Sequence, residues 1–161
     1  MNTVFLLTGS NLGNRAENLG KTLDLLNLST GIILDESAIY ETQAWGVNDQ
    51  PDFLNQVLKL RTILNPFDLL THIERIEEEI GRSETFRGGP REIDIDILLF
   101  NDLIVEKEGI CIPHIHLHNR KFVLIPLNEI APSFTHPKYN KTIGELLSEC
   151  KDIDKVEEYA V

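Results

Sequence analysis

The sequence predicts an α+β protein in which helices pack against an antiparallel sheet. Runs of β-forming residues alternate with segments of helical periodicity, in the order strand, helix, strand, strand, helix, strand. The chain has 161 residues, 42% of them hydrophobic and 25% charged, which is an ordinary composition for one folded domain. We therefore expect a single domain over residues 1–161.

The first strand and the first helix are predicted between residues 3 and 29. The apolar run at 3–8 is closed by Gly9, which is typical of a buried strand. Residues 14–29 carry leucines at helical spacing, which predicts a helix. These leucines are Leu19, Leu23 and Leu26.

Two further strands are predicted around a polar loop. Residues 31–42 indicate a strand with polar interruptions, and the Gly, Asn, Asp and Pro residues of 43–51 are typical of a loop. Residues 52–63 alternate as a strand does. One predicted face holds Leu54, Gln56, Leu58 and Leu60, and the other holds Phe53, Asn55, Val57 and Lys59.

A second helix has clear start and stop signals. Asn65 is a good N-cap, Pro66 suits the first helical position, Asp68 lies in the first turn, and Gly81 ends the helix. The apolar stripe of this helix consists of Leu69, Leu70, Ile73, Ile76 and Ile80.

The remaining chain predicts one strand and several shorter elements. Residues 93–100 form the next strand, and 110–119 form a proline-containing strand or turn. A helical stretch runs over 120–130, and a capping box of Thr142 with Glu145 opens a short helix. The acidic tail is interpreted as a solvated terminus or an edge strand.

This order is the βαββαβ pattern of a ferredoxin-like α+β sandwich with an antiparallel sheet and an appended C-terminal segment. We expect the helices to cover one face of the sheet and to leave the other face and the loops free for a ligand.

The charge and the cysteines limit the function classes. The formal net charge is -11, which argues against nucleic acid or an anionic membrane as the main partner. The two cysteines, Cys111 and Cys150, are too few for a disulfide framework, so a cytoplasmic protein is expected. The apolar run near the start is too short for a signal peptide or a membrane span.

Two aspartates interrupt the strand at 93–100. Asp94 and Asp96 share one face, opposite Ile93, Ile95, Ile97 and Leu99, which we assign to the core. At roughly 6 Å and an effective dielectric near 20, two carboxylates repel by about 3 kcal/mol, so a proton or a cation between them is favoured. Mg²⁺ suits such a pair because it completes its shell with water and phosphate oxygens. A solvated pair on an exposed strand face is the alternative.

Arginines in the preceding glycine-containing loop favour phosphoryl chemistry. Arg82, Arg87 and Arg91 lie within ten residues, and guanidinium groups match phosphate oxygens. A carboxylate pair beside such a loop is typical of metal-assisted phosphoryl transfer.

Two other function classes remain open at this point. His114, His116 and His118 alternate, so on a strand they would share a face and could form a zinc pair, which makes a zinc hydrolase the second function class. A catalytically inactive interaction domain is the third class. Such a domain would be expected to lack a functional residue, whereas Asp94, Asp96, Arg82 and Arg91 are all present.

Five segments in order carry a resemblance to a known family. They are GSNLGNR, YETQAWGVNDQPDFLN, RIEEEIGR, GGPREIDIDILLF and IPHIHLHNRKFVLIPLNEIAP. The chain resembles the 6-hydroxymethyl-7,8-dihydropterin pyrophosphokinases of folate biosynthesis from Gly9 to Pro132. The family fold is ferredoxin-like, in agreement with the element order.

The resemblance implies transfer of pyrophosphate from ATP to the hydroxymethyl oxygen of the pterin, with AMP leaving. It implies that Asp94 and Asp96 hold two Mg²⁺ ions and that Arg82 and Arg91 are catalytic. It implies that pterin is bound by Thr42, Trp45, Phe53, Asn55 and Phe122. It implies that ATP is bound by Leu70, Glu74, Glu77, Ile97, His114 and Arg120.

The sequence departs from the family pattern at several positions. Gly88 stands where a tryptophan is usual, Glu84 where an arginine is often found, and Ile115 where a tyrosine is common. We expect a monomer that acts on small molecules, with no nucleic-acid or membrane partner.

Overall fold

The structure is a computed structural model that describes residues 1–43, 49–81 and 89–160. Its larger elements in chain order are β1 (Asn2–Ser10), α1 (Arg15–Ser29), β2 (Ile32–Glu36), β3 (Tyr40–Thr42), β4 (Phe53–Thr62), α2 (Pro66–Ile80) and β5 (Asp94–Phe100). They are followed by β6 (Val105–Lys107), β7 (Ile110–Ile112), α3 (Lys121–Ile130), β8 (Thr135–His136), β9 (Lys141–Thr142), α4 (Ile143–Glu149) and β10 (Val156–Glu158). Within the described ranges, no helix is both long and apolar enough to cross a bilayer.

The main sheet has the strand order β10-β3-β4-β1-β5, and β2 also pairs with β4. All of its pairs are antiparallel. The centre of the sheet is therefore formed by β1 and β4, with β5 beside β1 and the β2 and β3 pieces beside β4. This arrangement confirms the predicted ferredoxin-like α+β sandwich.

Local signals in the sequence set the two long helices. The Asn14 side chain accepts from the Glu17 N–H to cap α1, and Asn65 accepts from the Asp68 N–H at 2.9 Å to cap α2. Gly81 ends α2 with φ at 107°, a left-handed conformation that glycine adopts without steric cost. Both helices pack on the same face of the sheet and enclose the first core. The predicted boundaries of α2 are confirmed.

The predicted strand over 31–42 is broken into β2 and β3 at Ser37. The Ser37 N–H donates to the Val57 carbonyl at 2.9 Å, and the Ser37 hydroxyl accepts from the Val57 N–H at 3.0 Å. One serine thus supplies both partners that β4 needs where the neighbouring strand changes course.

The expectation that the second sheet face stays free is wrong for most of that face. Phe5, Leu7 and Val57 lie in a second core, to which α3 contributes Val123 and α4 contributes Leu146. The sequence predicted these helices but not where they pack, because amphipathicity does not identify the partner surface. Among the described residues, the part of the second face that these helices leave uncovered is at one end of the sheet, where a cavity is found.

Leu99 was assigned to the wrong face of β5. Ile93, Ile95 and Ile97 belong to the first core as predicted, whereas Leu99 lies in the second core. The register between β1 and β5 shifts between Phe5 and Leu6, so that Leu99 pairs with Phe5. A bulge reverses the alternation of faces, and strict period-two reasoning cannot anticipate it.

The C-terminal tail forms the edge strand that was one of its two predicted states. In β10, Val156 pairs with Thr42 and Glu158 pairs with Tyr40. The capping box of Thr142 and Glu145 is also present at the start of α4.

Candidate active site

A cavity of about 270 Å³ occupies the open end of the second sheet face. Aromatic and amide groups lie on one part of its wall and charged groups on another. Its lining residues are Leu7, Gly9, Thr42, Gln43, Phe53, Asn55, Arg91, Asp94, Asp96, His114, His116 and Phe122.

Strand register brings the central residues of the cavity together. Gly9 of β1 pairs with Asn55 on one side and with Asp94 on the other. The next inward position, Leu7, pairs with Asp96. The amide and the carboxylates therefore form adjacent rows on three neighbouring strands, because successive side chains on each strand alternate between faces.

Gly9 provides the space between these rows. A Cβ atom at this position would lie 2.9 Å from Oδ1 of Asn55 and 3.5 Å from Cδ1 of Phe53. The first distance is shorter than real side chains tolerate, so a larger residue would displace the amide. Sequence reasoning used Gly9 only as the end of a strand and missed this role.

The Asn55 amide is buried and oriented. Its side-chain nitrogen donates to the Thr42 hydroxyl at 2.8 Å, and only 4% of Asn55 is exposed. A buried amide in a fixed orientation can discriminate between donor and acceptor edges of a flat heterocycle. Both residues were predicted for pterin binding, and they lie in the same cavity.

Two phenylalanines contribute the aromatic surfaces of the cavity. Phe53 comes from β4, and Phe122 comes from the first turn of α3. A guanidinium lies near each ring: Arg91 Cζ is 5.3 Å from the Phe53 centroid, and Arg120 Cζ is 5.4 Å from the Phe122 centroid. These distances are in the range of cation–π contacts.

The backbone of Arg91 is fixed by Asn11. The Arg91 N–H donates to the Asn11 side chain at 2.9 Å, and the Asn11 N–H donates to the Arg91 carbonyl at 3.1 Å. The Asn11 amide also donates to Gln50 and to the Pro51 carbonyl. Asn11 thus connects the segment that begins at residue 49 with the segment that begins at residue 89. Sequence reasoning did not single out Asn11.

The Arg91 guanidinium adjoins the carboxylate pair. Its Nη2 lies 3.3 Å from Oδ2 of Asp94. Its Nε is buried, and no described residue accepts a hydrogen bond from it. A buried donor without an acceptor is costly, so an anionic ligand at this position would relieve that cost.

Asp94 and Asp96 fit a magnesium site. Both line the cavity from the same face of β5, as the alternation predicted. Within residues 1–43, 49–81 and 89–160, no group of three or more His, Cys, Asp and Glu side chains is arranged to hold a metal. Two protein carboxylates are nevertheless the usual protein share of a Mg²⁺ site that includes substrate phosphates.

The histidine segment is not a strand, because β7 ends at Ile112 and residues 114–119 form turns. The His116 N–H lies 3.2 Å from Nδ1 of His114, which favours the tautomer with the proton on Nε2. Burial lowers the pKa of His114, and His116 lowers it further, while Asp94 opposes the shift. His116 also lines the cavity and is half-buried.

Several predicted ATP residues lie outside the cavity. The Glu77 carboxylate accepts from the Ile95 N–H at 3.0 Å, and Ile97 is buried in the first core. Leu70 is half-buried on α2, and Glu74 is exposed on the same helix. These four residues lie on the α2 side of β5, around the outer edge of the sheet.

Arg120 is held in ion pairs behind the cavity wall. Its Nε lies 3.0 Å from Asp152, and its Nη2 lies 2.6 Å from Asp154. Neither aspartate was predicted to matter, because both lie in a tail that was interpreted from composition alone. The predicted residues Arg82 and Trp45 fall outside the described residues.

The sequence matches the model of a family described as 7,8-dihydro-6-hydroxymethylpterin-pyrophosphokinase over residues 5–132. A 2-amino-4-hydroxy-6-hydroxymethyldihydropteridine pyrophosphokinase of Aquifex aeolicus is 43% identical over 92% of both chains. The protein of the same name from Haemophilus influenzae is 39% identical over 94% of this chain and 95% of its own length.

Solved structures share the fold. The crystal structure of wild-type Plasmodium falciparum HPPK-DHPS with pteroate superposes with a TM-score of 0.75 at 20% identity. The match covers 92% of this chain and 42% of that longer chain, so this chain corresponds to less than half of it.

Proposed function

The chain belongs to the 7,8-dihydro-6-hydroxymethylpterin-pyrophosphokinase family, and on this basis we propose how its cavity performs the family reaction. The enzyme is an ATP-dependent pyrophosphokinase of folate biosynthesis, which transfers pyrophosphate from ATP to hydroxymethyldihydropterin. One observation supports the assignment of residues most directly. A single cavity joins two aromatic rings and an oriented amide to a carboxylate pair and an arginine.

The aromatic end of the cavity binds the pterin. Phe53 and Phe122 stack on the faces of the ring, because a flat heterocycle gains both apolar burial and ring contact there. Asn55, oriented by Thr42, pairs with the polar edge of the ring. Trp45 completes this group on the strength of the family resemblance alone.

The charged end of the cavity binds the phosphates. Arg91 donates to phosphate oxygens, and its unpartnered buried Nε supports that role. Arg82 shares this role on the strength of the family resemblance alone. Asp94 and Asp96 would hold two Mg²⁺ ions, which would supply charge neutralisation at the transferring group.

The bond changes follow from the family reaction. The pterin hydroxymethyl oxygen bonds to the β-phosphorus of ATP and loses its proton. The bond from the β-phosphorus to the bridging oxygen of the α-phosphate breaks, and AMP leaves with that oxygen. The Arg91 guanidinium stabilises the charge that develops on these oxygens, because its positive charge is already held in the cavity beside the carboxylate pair.

The nucleoside extends from the cavity around the outer edge of β5 towards α2. His114 lies in the cavity, while Leu70, Glu74, Glu77 and Ile97 lie on the α2 side of that edge. A neutral His114 with its proton on Nε2 donates to a phosphate oxygen. Arg120 contributes its positive charge from behind Phe122. We assign the whole chain to one pyrophosphokinase domain, monomeric and cytoplasmic, with no nucleic-acid or membrane partner.

The test is direct product analysis. The purified protein is incubated with ATP, Mg²⁺ and 6-hydroxymethyl-7,8-dihydropterin, and AMP and the pterin diphosphate are quantified by chromatography. AMP and pterin diphosphate should appear in equal amounts, and neither should form when the pterin is omitted. Release of ADP instead, or AMP formation without the pterin, would contradict the assignment.

A further inference from the structure

Asp152 lies behind the cavity wall and contacts two groups next to Phe122, namely the start of α3 and the Arg120 guanidinium. Its side chain is 9% exposed. Its Oδ2 accepts from Nε of Arg120 at 3.0 Å and from the Lys121 N–H at 3.0 Å. Its Oδ1 accepts from the Asp154 N–H at 3.0 Å. All of these contacts except the last join the tail to the start of α3.

The first of these groups is the N-terminus of α3. Arg120 occupies the N-cap position, and its side chain makes no capping hydrogen bond. The Asp152 carboxylate instead accepts a hydrogen bond from the Lys121 N–H in the first turn, although the two residues are 31 positions apart in sequence. A negative charge at this end of a helix is also favourable for the helix dipole. Phe122 is in the same turn, so this cap fixes the backbone from which that ring projects.

The second group is the Arg120 guanidinium. It is 10% exposed and lies between Asp152, Asp154 and the Phe122 ring. Because a guanidinium is planar and its two carboxylate partners approach different nitrogens, its orientation is restricted. The plane of the Phe122 ring is therefore supported from behind by a group that cannot rotate freely.

We propose that Asp152 is a positioning residue for the pterin: through Arg120 and the first turn of α3, it holds Phe122 in the orientation that stacks on the ring. The inference rests on the proposed pterin position in the cavity. It assigns a role in substrate affinity to the C-terminal tail, whose described residues, up to 160, do not line the cavity. The same tail pairs through Val156 with Thr42, the residue that orients Asn55 on the opposite wall.

The proposal predicts different effects on the affinities for the two substrates. Loss of the Asp152 charge releases Phe122 and weakens pterin binding. The same loss leaves Arg120 with less negative charge around it, so ATP affinity should stay the same or increase. A change that merely destabilised the domain would weaken both substrates together.

The main variant is Asp152→Asn, which keeps the side-chain shape and an acceptor for the Lys121 N–H but removes the charge. Dissociation constants are measured by isothermal titration, for 6-hydroxymethylpterin with a non-hydrolysable ATP analogue present, and for the analogue alone. We expect the pterin constant to rise at least fivefold and the nucleotide constant to stay within twofold or fall. Asp152→Ala should raise the pterin constant at least tenfold.

Asp102→Asn is the matched control, because it makes the same substitution at an exposed position in a turn. It should change neither dissociation constant.

A double-mutant cycle tests whether the effect passes through Arg120. Arg120→Gln alone should weaken pterin binding, and adding Asp152→Asn should weaken it no further. Thermal melting shows whether each variant is folded, and Asp152→Asn carries the decision if Asp152→Ala does not fold. The proposal is overturned if Asp152→Asn leaves pterin affinity within twofold of the parent, or lowers both affinities equally. If the parent protein forms no pterin diphosphate, the proposed function fails instead, and the two failures are thus distinguishable.

Discussion

Oδ1 of Asn55 lies 2.9 Å from the position that a Cβ atom would occupy if Gly9 carried a side chain. The two residues are partners in the β1–β4 register, at the end of the sheet that opens into the cavity. The backbone of β1 therefore determines how closely the amide can lie against the sheet. With the pterin in its proposed position, this contact makes Gly9 a determinant of pterin binding although it has no functional group.

Gly9→Ala should weaken pterin binding about tenfold or more, because the new methyl group displaces the Asn55 amide from Thr42. Nucleotide affinity should change less than threefold. Isothermal titration with each ligand measures both effects.

Gly20→Ala is the matched control. A Cβ atom at this exposed position of α1 would have no neighbouring atom of another part of the chain within 4 Å. This variant should raise the free energy of unfolding by about 0.5–1 kcal/mol and leave both affinities unchanged. Equal affinities for Gly9→Ala and the parent would show that the amide has room to move.

Replacing Asn55 itself separates recognition from folding. Asn55→Ala removes the amide that we propose to pair with the polar edge of the pterin, so pterin affinity should fall far more than ATP affinity. Thr42→Val keeps the volume at residue 42 and removes only the acceptor, so it should have the same effect with a smaller magnitude. Kinetic constants for each substrate at saturation of the other would show this. If Asn55→Ala weakened both substrates equally, residue 55 would be shaping the sheet rather than recognising the ring.

The carboxylate pair is tested by turnover. Asp96→Ala removes a proposed metal ligand from a half-buried position on the strand face, so turnover should fall by several orders of magnitude while the fold survives. Circular dichroism and thermal melting check the fold, and the AMP assay measures the rate. Asp102→Ala provides a control for loss of an exposed carboxylate. A loss of less than about tenfold, which corresponds to roughly 1.4 kcal/mol of barrier, would contradict the metal assignment.

Sequence reasoning reached the parts of the site that short-range rules govern. Helix caps at Asn65 and Thr142 depend on residues three positions apart, and the common face of Asp94 and Asp96 depends on strand alternation. Both are local, and both are confirmed. A bulge defeated the same alternation at Leu99, because a register shift is set by the partner strand.

The parts that sequence reasoning missed depend on contacts between distant segments. Asp152 lies 32 residues from Arg120, and nothing in the tail composition identifies its partner. The packing of α3 on the second sheet face is of the same kind. Gly9 shows a further limit, because its importance arises from the absence of a side chain opposite Asn55, which only the three-dimensional register reveals.

The last prediction concerns the pH dependence of stability and rests on His136. This residue is 1% exposed, and burial, with smaller contributions from His118 and Lys138, lowers its pKa to about 4. The Lys138 and Tyr139 N–H groups lie 3.2 and 3.3 Å from its Nδ1, so protonation there would also remove two hydrogen bonds. In the unfolded chain the pKa returns to about 6.5. Between these values the unfolded state binds more protons than the folded state, so stability is complete above about pH 6.5 and is lost as the pH falls towards 4. The loss in the free energy of unfolding amounts to at most about 3 kcal/mol.

Urea unfolding of the parent and of His136→Gln at pH 7.5, 6.0 and 5.0 isolates this contribution from that of the carboxylates. The parent should lose more stability than the variant on acidification, and parallel curves would show that His136 is protonated as easily in the folded protein as in the unfolded chain.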